Sequence, residues 1–134
     1  MVESNQRGLW VMRILSAIFL LAAGGIHLYE VFTGTGGVLG VLFVLNGIAG
    51  IVLAVAMLVL HGRLLQLATV LSLLFMIATL GALVLALTVG LFGITQTWDT
   101  PIVPPTVIIE SIGIVVLAVT TAMVLRTAPA SQPA

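Results

Sequence analysis

Cysteine is absent from this chain of 134 residues. That excludes disulfides, thiolate metal sites and cysteine nucleophiles. Lysine is absent too, and charge of either sign is scarce: four arginines face four acidic residues, 6% of the chain in all. An ordinary soluble domain carries about one quarter charged residues. A chain with so few cannot cover a water-facing surface. Its net charge is zero and its arginines form no stripe, which argues against nucleic acid as a partner. Aromatics are also few, at 6%. What fills the space is aliphatic. Apolar residues make up 61% of the chain, and the mean hydropathy is +1.36. The solvent implied for most of the surface is a lipid bilayer.

Four apolar runs are long enough to cross a bilayer, which takes about 20 residues each. They cover 8–29, 38–60, 64–92 and 106–125. Lipid satisfies no backbone hydrogen bond, so each run is expected to be a helix. The fold class predicted is all-α, an integral membrane antiparallel four-helix bundle forming one domain. The third run exceeds what a bilayer needs and should tilt or emerge near Gly90 and Gly93. "TGTGG" (33–37) reads as a flexible loop and "HGR" (61–63) as a tight hairpin. "GITQTWDTPIVPP" (93–105) is a longer loop whose prolines suit a helix start. The tail 127–134, "TAPASQPA", reads as disordered. No small-x-small cleavage site follows the first run, so it is expected to remain as a span.

The arginines set an orientation. Arg7 and Arg13 lie at the start of the first run, Arg63 between the second and third, and Arg126 after the fourth. With four spans these places share one side. The positive-inside rule makes that side cytoplasmic, with both termini inside a multi-pass cell-membrane protein. Glu30 and Asp99 fall in the other two connections. Arg13, inside its run, is expected to snorkel to the interface. Trp10 marks the inner interface, and Tyr29, Phe32, Phe92 and Trp98 the outer one.

Polar residues inside the runs carry the functional argument. "GGIHLYE" (24–30) places His27 and Glu30 about one turn apart on one helix face. Asn46 lies roughly 13 Å below the outer end of the second run, at about 1.5 Å per residue. Glu110 lies five residues after Pro105, roughly 7 Å deep on the same scale. His27, Glu30, Asn46 and Glu110 are thus the candidate pocket residues, all in the outer half. A glutamate there costs a few kcal/mol unless it faces the bundle interior and finds a partner. His27 and Asn46 are the nearest candidates by depth.

Two readings of this pocket stand open. In one, the polar groups bond each other and fix the helix arrangement. In the other, they form a binding site for a metal, a proton, or the head of a quinone or haem edge. A second histidine is lacking on that side, which weakens a tight zinc or copper site. His61 lies on the opposite side. Ser111 adjoins Glu110 in sequence and so points elsewhere on the helix, which gives a catalytic triad no support. Four-spaced small residues mark packing: Ala78, Ala82, Ala86 and Gly90 on the third run, and Asn46, Gly50 and Ala54 on the second. Such stripes serve either the bundle itself or the interface of a homo-oligomer or larger membrane complex.

"GGIHLYE", "LGVLFVLNGIAG", "LTVGLFG", "TWDTPI" and "VIIESIG" together resemble a family of small four-span membrane proteins common in actinobacteria. The resemblance covers about residues 21–117. It implies a His closing the first helix, an acid after it and a Glu in the fourth, matched here by His27, Glu30 and Glu110. That family often has proline where this chain has Phe92, so the exit of the third helix is expected to differ. The resemblance implies no reaction. The function expected is a non-catalytic accessory or binding protein with an outward-facing polar pocket. The alternative is a redox or proton-handling subunit that binds haem, quinone or metal.

Overall fold

The structure, a computed structural model, describes residues 2–127. The tail 128–134 lies outside the described residues. Four helices account for most of them: α1 (Val2–Phe32), α2 (Gly37–Val59), α3 (Gly62–Thr88) and α4 (Val103–Arg126). All four are long and apolar enough to cross a membrane. This is an all-α fold compatible with a multi-pass membrane protein.

The burial pattern fits that solvent. Large aliphatic side chains such as Ile18, Val52, Leu74 and Val115 point outward. The interior holds many small or hydroxylated residues, among them Ser16, Ala17, Ala23, Thr69, Ser72 and Thr120. Where the surrounding medium is as apolar as leucine, close approach and hydrogen bonds hold helices together. The α1–α2 pair shows this best. A Cβ on Gly50 would stand 2.8 Å from the carbonyl oxygen of Leu20, and one on Gly24 would stand 3.2 Å from that of Gly47. Only glycine permits the two backbones to come so near. Between α1 and α4 the hydroxyls of Ser16 and Thr120 are hydrogen-bonded at 3.0 Å, fully buried. By contrast, α2 and α3 touch little, although they are consecutive.

Arg13 does not snorkel. It is 5% exposed. Its Nε donates to the Met57 carbonyl at 2.6 Å and its Nη2 to the Leu60 carbonyl at 2.9 Å. The last carbonyls of a helix have no partner of their own, and that end of the macrodipole is negative. A guanidinium from α1 therefore closes α2, with the Trp10 ring 4.3 Å from its carbon.

Helix ends differ from the apolar runs for local reasons. α3 stops at Thr88, because Gly90 takes a φ of 89° and sends its N–H back to the Leu85 carbonyl at 2.8 Å. This is the left-handed glycine stop common at helix C-termini. The chain then makes a two-residue turn closed by reciprocal Leu91–Ile94 backbone bonds. Phe92 and Gly93, at its centre, have φ of 51° and 75°. Proline is locked near −65°, so the proline alternative at Phe92 would not make this turn. α4 starts at Val103, within the expected loop, because Pro104 sits comfortably in a first helical turn.

Candidate functional site

A cavity of about 550 Å³ lies between the facing sides of α2 and α3. It occupies the end of the bundle where the α3–α4 connection folds over. The hydrogen bond from Gln96 N–H to the Ala86 carbonyl, 2.8 Å, ties that connection back to α3. Phe43, Phe75 and Phe92 contribute aromatic wall, and aliphatic residues contribute most of the rest.

The space exists because the α3 stripe is small. Ala78, Ala82 and Ala86 all line the cavity. The sequence reading takes that stripe as a helix-packing surface. The structure gives the close approach to the glycines of α1 and α2 instead. On α3 the missing side-chain volume becomes open space.

Three of the four candidate residues line this cavity: His27, Glu30 and Asn46. His27 is 8% exposed. Its Nδ1 donates to the Ala23 carbonyl one turn back at 2.7 Å. A carbonyl only accepts, so Nδ1 carries the proton, and in the neutral ring Nε2 is left as an acceptor. The Phe43 ring meets His27 edge-on at 4.7 Å between centroids, which fixes the imidazole plane. Glu30 follows on the same helix face and is half-buried. Asn46 donates through Nδ2 to the Thr79 hydroxyl at 2.8 Å. This bond bridges α2 and α3 across the cavity wall. The Asn46 Oδ1 is buried and accepts nothing from the described residues.

Glu110 is not in the cavity wall. It is fully buried, and neither carboxyl oxygen has a hydrogen-bond partner among the described residues. The expectation that it bonds His27 or Asn46 is not met. It nonetheless stands beside the site. Thr106, four residues earlier and thus on the same face of α4, lines the cavity. Glu30 and Glu110 lie within electrostatic reach of each other. Glu110 is therefore one turn behind the wall, the only fully buried carboxyl of the described residues.

Sequence reasoning missed Thr79, Gln96 and Thr106 in the wall. Hydroxyl and amide residues near apolar runs were the available signal, but Thr in a helix often spends its hydroxyl on its own backbone. Thr106 does this, donating to Ile102 at 2.6 Å. Neither Thr79 nor Thr106 is hydrogen-bonded to His27. Among the described residues no group of three or more His, Cys, Asp or Glu side chains is placed to hold a metal ion. No metal centre is proposed here.

No known protein family, curated protein or solved structure matches this chain. The likeness that the fold supports is to membrane proteins with four apolar helices. Membership of the actinobacterial family and an actinobacterial origin have no support from these comparisons.

Proposed function

We propose that this chain is a non-catalytic membrane protein that binds an amphiphilic small molecule in the α2–α3 cavity. One observation carries the reading. An apolar cavity of about 550 Å³ gathers His27, Glu30 and Asn46 at one end of a bundle of membrane-spanning length. Ligand pockets run to about 300–1,000 Å³, mostly apolar with a few placed polar groups. The helices pack antiparallel in this reading, and the arginines put both termini in the cytoplasm. The cavity then opens in the outer half. Reporter fusions after Arg63 and Arg126 are expected to read cytoplasmic, and one at Thr97 external. An external signal at Arg63 would invert this orientation.

Ala82→Leu tests the binding role. The added side chain enters the cavity rather than a helix contact. Native mass spectrometry of protein extracted in mild detergent is expected to show a bound amphiphile in the wild type. The variant should lose it, with thermal stability nearly unchanged. Equal occupancy in both proteins would remove the cavity from the account.

A second reading is a proton-handling subunit. The unpartnered Glu110 carboxyl beside Glu30 favours it. There, Glu110→Gln would abolish proton movement in proteoliposomes and leave the fold intact.

A further inference from the structure

The charge at the cavity has one sign. No arginine lines it, and the chain contains no lysine. Arg13, on the same helix as His27, is 14 residues away, roughly 21 Å at about 1.5 Å per residue, and is committed to the end of α2. Two carboxyl groups stand at or behind the wall, Glu30 and Glu110. Several donors are spent. The Asn46 amide bonds Thr79, the Thr106 hydroxyl bonds Ile102, and His27 Nδ1 bonds Ala23. At the wall one acceptor remains unsatisfied: Asn46 Oδ1 is buried without a partner. Three phenylalanine rings complete the wall, and ring faces attract cations.

We infer that the cavity takes a lipophilic cation: an amphiphile whose head is a protonated amine and whose tail lies along the apolar α2–α3 walls. This rests on the binding role proposed above and names its ligand class. An ammonium head supplies the positive charge that the wall lacks. Glu30 meets the head directly. Glu110 lies behind the wall, a buried carboxyl without a partner, and the charge that meets the head is that of Glu30. An anionic head finds no arginine or lysine there and meets the Glu30 carboxyl. Its desolvation goes uncompensated, and it is rejected.

The test uses purified full-length protein in phosphatidylcholine nanodiscs. Dodecylammonium, dodecanol and dodecanoate share one chain and differ in head charge. Binding is measured by equilibrium dialysis and corrected for uptake by protein-free discs. Dodecylammonium is expected to bind at least tenfold more tightly than dodecanoate, with dodecanol between them. Glu30→Gln, checked for folding by circular dichroism, should reduce that preference severalfold. Ala82→Leu should remove saturable binding of all three. Equal or tighter binding of dodecanoate, or an unchanged preference in Glu30→Gln, would overturn the cationic class while leaving the binding role standing. Binding of none of the three by wild-type protein would overturn both.

Discussion

Gly50→Leu is expected to unfold the bundle at a much lower mole fraction of sodium dodecyl sulfate than the wild type requires. Any Cβ at position 50 stands 2.8 Å from the Leu20 carbonyl oxygen. That atom is backbone and cannot rotate aside. Helix α1 must therefore move away from α2 as a body, opening the neighbouring Gly24–Gly47 approach as well. Overpacking typically costs about 1–3 kcal/mol, and a backbone clash belongs at the upper end, near 3 kcal/mol. Gly25→Ala is the matched control. A Cβ there meets nothing within 4 Å, and alanine favours a helix over glycine by up to about 1 kcal/mol. Gly25→Ala should be neutral or stabilising. A Gly50→Leu variant as stable as the wild type would mean that α1 and α2 do not meet at these glycines.

Glu110→Leu is expected to stabilise the ligand-free protein by about 1–3 kcal/mol, the usual cost of a buried polar group without a partner. The residue is fully buried and no described residue bonds either oxygen. Leucine has similar size and nothing to leave unsatisfied. Read from sequence alone, the sign is the opposite, since Glu110 is then the partner of His27 or Asn46 and its loss strands them. In the structure those residues have other partners, Ala23 and Thr79. A buried carboxyl that costs stability in the ligand-free protein points to a role beyond holding the fold. The same denaturation series measures it. A destabilised Glu110→Leu protein would show that the carboxyl holds the fold together.

Span length is local, and the four runs are legible as the four helices. Helix stops are less so. The apolar run through Phe92 conceals the left-handed Gly90 that ends α3 at Thr88. Small residues are ambiguous in principle. Gly50 marks a close approach and Ala82 marks an empty volume, and only the course of the partner helix separates the two. Arg13 is similar. Its place near a span end suggests an interface, but unpartnered carbonyls at the end of α2 offer a closer destination. Within the candidate site, depth along each span suffices to group His27, Glu30 and Asn46, which do line one cavity. Depth does not say how far the cavity reaches, and Glu110, a turn beyond Thr106 on the same face of α4, lies past its wall.

In this reading the mostly apolar cleft between α2 and α3, with His27, Glu30 and Asn46 in its wall, is reachable from the outer face. Because the chain has no cysteine, one introduced thiol reports alone. Ala82→Cys places it in the cavity wall, and Leu74→Cys places it on the outward face of the same helix. Both are exposed, in right-side-out vesicles, to a membrane-impermeant trimethylammonium methanethiosulfonate. The account predicts rapid labelling at position 82, slowed by dodecylammonium, and almost none at position 74. Labelling at 82 that is no faster than at 74 would contradict it.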